Sequence, residues 1–182
     1  SNTPLKCAKE INSFLCGEYN EEISALFSCG GGELMCEILD DVDFDKIKKS
    51  KPVWFLGYSD NTNLTFLLPT ICDITAIYSP CAPAYGMEPW HPSLKDTFEL
   101  LTGKSNMAHG YDKWEKESVK NEENPLVPYN VTKKTEIKKF GAGKDDAKTE
   151  ISGRLIGGCL DCLSNLAGTK FDKVSDFNEK YK

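Results

Sequence analysis

The nine residues Trp54-Phe55-Leu56-Gly57-Tyr58-Ser59-Asp60-Asn61-Thr62 constrain this chain most. The apolar run Val53-Trp54-Phe55-Leu56 reads as a strand buried on both faces of a parallel sheet, because it shows no polar alternation. Gly57 stops it, and a helix carrying Leu64, Leu67 and Leu68 follows. A buried strand that turns directly into an amphipathic helix belongs to a layered fold, helices against sheet. A tight strand-to-helix turn projects the residue at its tip outward, and the helix N-terminus beside it favours negative charge. The residue at this tip is Ser59. This is how a nucleophile elbow presents its hydroxyl. The N–H of Asp60 then stands where an oxyanion donor is needed. The pattern departs from G-x-S-x-G, since Asn61 occupies the last glycine position. The same residues also read as a plain turn at Ser59, with Asp60 capping a helix.

The flanking sequence alternates strand and helix, which argues for an α/β fold. Thr3-Pro4 starts a helix whose apolar face is Ala8, Ile11, Phe14 and Leu15. Glu22–Ser28 reads as a strand that runs into Gly30-Gly31-Gly32. In a parallel sheet, this loop and the Ser59 turn open at the same carboxyl end, where ligands bind. A glycine amide there is a second candidate oxyanion donor; a plain tight turn is the alternative. Leu34, Ile38 and Leu39 predict a short helix, Asp43–Ser50 another, and Ile74–Tyr78 a further strand. Ser93-x-x-Asp96 predicts the capped start of a helix ending at Gly103. Polar residues dominate from Lys113 to Glu150, with a flexible point at Gly141-Ala142-Gly143. Ile151–Ile156 restarts as a strand, and Leu160, Leu163 and Leu166 line a helix. The expected divisions are a nucleophile domain over 1–112, a linker or lid over 113–150, and the start of a second domain over 151–182. At roughly 100–200 residues per domain, 182 residues fit one domain and part of another.

Charge and composition narrow the function. A net charge of −6 disfavours nucleic acid, which usually meets a basic face. Of 22 basic residues only Arg154 is an arginine, so bidentate capture of phosphate has one candidate. The basic cluster Lys133–Lys139 reads as a solvated surface, with an anion-binding patch as the alternative. No apolar run nears the ~18–20 residues of a membrane span. Among the eight cysteines, Cys29, Cys36 and Cys72 sit in apolar patterns, where cysteine acts as a small buried hydrophobe. With no basic-then-apolar leader in view, the thiols are expected to be reduced and the protein cytoplasmic. Gly103-Lys104-Ser105 has Phe98 where a phosphate-binding loop needs its first glycine. Cys159-x-x-Cys162 has no second pair to complete a zinc site. No metal or cofactor is expected. A serine nucleophile needs a base, yet neither histidine, His91 between prolines nor His109, has a spacing that specifies one.

At these residues the chain resembles the LD-carboxypeptidase family of serine peptidases, especially the branch of microcin C self-immunity peptidases. The resemblance rests on Ser28-Cys29-Gly30-Gly31-Gly32-Glu33, on Ile38-Leu39-Asp40 with Asp43, and on Lys51 to Thr62. It continues through Tyr78-Ser79-Pro80, Tyr85-Gly86-Met87-Glu88, the Trp114 region, Gly153 to Leu160, and Gly168-Thr169. It implies a flavodoxin-like nucleophile domain, similar to class I glutamine amidotransferases, followed by a C-terminal swivelling domain. Ser59 matches the nucleophile. The Asp60 amide, with that of Gly31 or Gly32, matches the oxyanion hole. The implied triad is Ser–His–Glu without metal, and neither His91 nor His109 matches its histidine. Its His and Glu are expected beyond Lys182, and an opening strand before Thr3, so the chain reads as a portion of a longer enzyme, itself inactive. The implied substrate is a murein peptide cut at an L,D-bond, or an aminoacyl nucleotide; a homodimer is the expected assembly. Trp114 and Trp90 are candidates to stack on a base, though packing is the simpler role for both. Two other classes stay open: a non-catalytic ligand-binding α/β domain, and a redox or metal protein built on Cys159 and Cys162.

Overall fold

A computed structural model describes residues 3–138, 150 and 152–182. The chain divides into two units, one formed by Ser1–Tyr85 with Ile156–Lys182, the other by Gly86–Leu155. These bounds differ from the expected divisions after 112 and 150. The reason is packing: Leu166, late in the chain, joins the core cluster of Leu64 and Leu67, and Phe177 is buried as well.

In the first unit, helix α1 (Pro4–Leu15) begins as its sequence predicts, with the Thr3 hydroxyl accepting from the Lys6 N–H. It buries Ala8 and Leu15 against the core. Strand β1 (Ala25–Phe27) leads to the glycine loop. Leu34–Leu39, expected as a helix, forms instead a tight three-residue-per-turn segment, Met35–Asp41. Only the adjacent pair Ile38 and Leu39 is buried there, while Leu34 is exposed, so the segment lacks a helix-long apolar face. Helix α2 (Phe44–Ile47) is shorter than the expected Asp43–Ser50 and is capped by Asp43, whose carboxylate accepts from the Lys46 N–H at 2.9 Å. Strand β2 (Trp54–Gly57) follows.

Helix α3 (Thr62–Thr65) leaves the Ser59 turn and continues into a wide turn, Leu68–Cys72. Strand β3 is only Ile77–Tyr78. The expected strand from Ile74 is shortened because Asp73 is left-handed (φ 60°) and the Ile74 N–H closes the wide turn on the Leu68 carbonyl at 3.1 Å. The three strands form a parallel sheet in the order β1-β2-β3. Central β2 buries Phe55 and Leu56, as its unbroken apolar run predicts. After α4 (Pro92–Leu101), which belongs to the second unit, come α5 (Leu160–Leu166) and α6 (Val174–Lys180). Asp73 receives Lys180 Nζ at 2.7 Å and also the Tyr181 hydroxyl.

The second unit holds helix α4 (Pro92–Leu101) and an antiparallel pair, β4 (Lys113–Glu115) with β5 (Val131–Lys134). The stretch expected to be a linker or lid therefore contains paired strands. The start of α4 corrects a sequence expectation. The cap is His91, whose Nδ1 accepts from the Ser93 N–H at 3.2 Å, and not Ser93. Asp96 instead faces Tyr111, whose hydroxyl donates to it at 2.6 Å, and His109 at 3.2 Å. Gly141-Ala142-Gly143 and Ile151 lie outside the described residues. Residues 152–159 form no strand, against the expected strand Ile151–Ile156.

The cysteines split. Cys72 is buried, and burial pushes its thiol up to about 12. Cys29 and Cys36, expected inside, are exposed, because one lies in the loop after β1 and the other in the tight turn that follows it. Among the described residues no helix is long and apolar enough to cross a membrane. Leu64, fully buried under β2, anchors α3 to the core. Truncating it to alanine is expected to lower unfolding stability by about 2–5 kcal/mol in urea melts. A loss below the error of the melt would place Leu64 outside the core.

Candidate active site

Ser59 sits at the carboxyl end of β2 with φ 60°. A non-glycine residue held left-handed is strained and persists only where its surroundings fix it. Three sets of contacts fix this one. Tyr58 before it is extended, and the Ser59 N–H donates to the Tyr78 hydroxyl at 3.1 Å. The Asn61 N–H returns to the Tyr58 carbonyl at 3.3 Å. The Asn61 side-chain amide donates to the carbonyls of Tyr58 (3.0 Å) and Gly30 (2.8 Å).

That last bond ties the glycine loop to the turn. Asn61 is 2% exposed, so its polar atoms must find partners inside the protein. Its side chain lies over Gly57, where an added β-carbon would come within 2.6 Å of Asn61 Cγ. This accounts for Asn61 in place of the last glycine of G-x-S-x-G: the amide fills the space beneath the turn and fastens its neighbour loop. A second tie runs through Asp60. Its carboxylate, largely buried, accepts from the Met35 N–H (2.9 Å) and from Asn63 Nδ2 (3.0 Å). Asp60 is thus more than a helix cap. Its side chain holds the chain just after the glycine loop.

The glycine loop passes directly over the serine. A β-carbon at Gly31 would lie 3.2 Å from Ser59 Cβ and 3.4 Å from its Oγ. One at Gly32 would lie 3.2 Å from Asp60 Oδ2. At 3.2 Å such a β-carbon would sit tighter than ordinary contact, which favours residues without side chains here. The Ser28 hydroxyl stiffens the loop from its start, donating to the Gly30 carbonyl at 2.7 Å. The Tyr78 hydroxyl occupies the Ser59 N–H. The structure therefore brings together Ser59, Asp60, Gly31 and Gly32.

From the other side, α5 closes on the turn. The Cys159 N–H donates to Thr62 Oγ1 at 2.9 Å, and the Cys162 thiol reaches the Ser59 carbonyl at 3.6 Å. A β-carbon at Gly158 would fall 2.4 Å from Thr62 Cγ2. Sequence reading missed Tyr78, the Asn61 amide and this α5 contact. Each joins segments far apart in sequence, and only the position of Tyr78 at the end of a neighbouring strand hinted at its role.

The remaining candidates lie in the second unit. Trp114 is on β4 and half exposed. Trp90 packs edge-on against Phe98, with ring centroids 5.7 Å apart, as the simpler reading has it. His91 caps α4 and packs between Tyr111 and Tyr129. His109 pairs with Asp96. The Tyr111 hydroxyl and then His109 hold Asp96 below the usual carboxylate range. Among the described residues no group of three or more His, Cys, Asp or Glu could hold a metal ion. Removing the Asn61 amide by Asn61→Ala is expected to cost about 1–3 kcal/mol, read by thermal or urea melts. Unchanged stability would show that the amide does not fasten the two loops.

Comparison with known proteins agrees with this geometry. Residues 1–79 match the family model described as the LD-carboxypeptidase N-terminal domain. A curated relative, the microcin C7 self-immunity protein MccF of Escherichia coli, is 30% identical over 180 residues, covering 94% of this chain and 48% of the relative. Solved structures of MccF with glutamyl sulfamoyl guanosine and with aspartyl sulfamoyl adenosine superimpose with a TM-score of 0.69 at 25% identity, over 93% of this chain and 50% of theirs. The chain spans about half the length of these relatives. The α/β class is borne out, and so is the resemblance to the LD-carboxypeptidase family first read from the glycine loop and the Ser59 turn.

Proposed function

We propose that this chain is the nucleophile-bearing part of a serine peptidase of the LD-carboxypeptidase family. The observation that carries the proposal is the close seat of the glycine loop on a left-handed Ser59, so close that a β-carbon at Gly31 would lie 3.4 Å from Oγ. In this reading Ser59 Oγ attacks a scissile carbonyl and its proton passes to a base. The carbonyl oxygen becomes an oxyanion held by the Asp60 N–H and by that of Gly31 or Gly32. The tetrahedral intermediate collapses, expels the amine and leaves an acyl-enzyme, which water hydrolyses. The base is a histidine oriented by a glutamate, both supplied from sequence outside these 182 residues. The fold of the unit that carries Ser59 is of the glutamine-amidotransferase-like type. The enzyme acts in the cytoplasm as a homodimer.

Of the two substrates expected, an aminoacyl nucleotide is favoured over a murein peptide, because the MccF structures that superimpose on this chain carry aminoacyl sulfamoyl nucleosides. Trp114 is the candidate to stack on the base of such a ligand. The test is hydrolysis of an aminoacyl nucleotide by the full-length protein. Ser59→Ala is expected to lower kcat by on the order of 10⁴–10⁶-fold without unfolding the chain. Retained turnover in a folded Ser59→Ala variant would overturn the assignment. The 182-residue chain alone is expected to show little or no turnover, and robust hydrolysis by it would contradict an external base. A binding module without catalysis would hold the nucleotide yet leave Ser59 unlabelled by a fluorophosphonate.

A further inference from the structure

Cys159-x-x-Cys162 is the sequence motif that the proposed hydrolysis does not use. Residues three apart on a helix are neighbours, with β-carbons roughly 5–6 Å apart. A disulfide sets α-carbons about 4.4–6.8 Å and β-carbons about 3.5–4.5 Å apart, so such a pair closes with a small shift of the helix's first turn. Here Cys159 immediately precedes α5 and Cys162 lies in its first turn. Burial first, and then the neighbouring Cys159 thiol, push the Cys162 thiol up to about 11. Both residues are part-exposed, unlike Cys16, Cys72 and Cys81, which are buried. The pair is therefore accessible and adjacent at the start of one helix. The Cys159 backbone is held by its N–H on Thr62, and the Cys162 thiol rests on the Ser59 carbonyl.

We propose that Cys159 and Cys162 form a thiol modification site that takes small disulfides as co-reactant and closes to an intramolecular disulfide behind the Ser59 turn. The Cys159 thiolate attacks one sulfur of the small disulfide, forming a mixed disulfide and releasing one small thiol, which carries away the proton that Cys159 lost. Cys162 then loses its proton and attacks the Cys159 sulfur, releasing the second small thiol. The two protein thiols are oxidised by two electrons, and the small disulfide is reduced to two thiols. Closure removes the S–H that reaches the Ser59 carbonyl, so the contact that α5 makes with the strained turn is lost on oxidation and restored on reduction.

The test uses the reduced, folded chain and oxidised glutathione. Unreacted thiols are alkylated, and the tryptic peptide from Leu155 to Lys170, which contains only these two cysteines, is weighed. The expected result is a peptide lighter by the two thiol hydrogens, carrying no alkyl groups and restored to the alkylated form by prior reduction. Cys162→Ser is expected to stop at a glutathione adduct on Cys159. The proposal is overturned if the folded wild-type peptide remains fully alkylated, or if oxidation falls on the exposed Cys29 and Cys36 while Cys159 and Cys162 stay reduced. It is likewise overturned if the peptide closes only after the chain is unfolded.

Discussion

Much of the first unit depends on one buried side-chain amide. Asn61 is almost fully enclosed, and its nitrogen donates to Gly30 and Tyr58 at once. An amide so placed cannot be left without partners, since an unmet buried donor costs about 1–3 kcal/mol. The Ser59 turn and the glycine loop must therefore stay in register for the amide to be satisfied. Asp60 adds a second tie through the Met35 N–H. These bonds offset the cost of holding Ser59 left-handed, which is of order 1–3 kcal/mol.

Chemistry follows from that register. The parallel order β1-β2-β3 sets both loops at one end of the sheet, and the side-chain bonds then fix their separation. Gly31 comes close enough to Ser59 that a methyl group there would touch the hydroxyl. Backbone amides held by a rigid frame need no reorganisation when charge develops, which is how an oxyanion site gains its strength. The Tyr78 hydroxyl occupies the Ser59 N–H, so in the proposed reaction the donors are Asp60 and the glycine loop.

Local signals were legible in the sequence where one segment decides its own structure. The buried run at β2, the turn at Gly57-Tyr58-Ser59 and the Thr3 cap of α1 all have this character. The signals failed where a distant partner decides. His91 takes the cap that Ser93 was expected to hold. Cys29 and Cys36 face outward because a loop and a tight turn, not a strand or helix, carry them. The strand at Ile74 yields to the left-handed Asp73, which Lys180 and Tyr181 hold from the far end of the chain. Asn61 looked like a departure from a motif, yet its side chain does what the spacing could not reveal.

The central claim is that Ser59 is a nucleophile served by the Asp60 amide and a glycine-loop amide. A crystal structure of the full-length protein, phosphonylated by an aryl fluorophosphonate, tests it directly. The account predicts one adduct, on Ser59 Oγ, with the phosphonyl oxygen about 2.7–3.1 Å from the Asp60 nitrogen and from that of Gly31 or Gly32. An adduct on another residue, or a phosphonyl oxygen turned away from both amides, would contradict it.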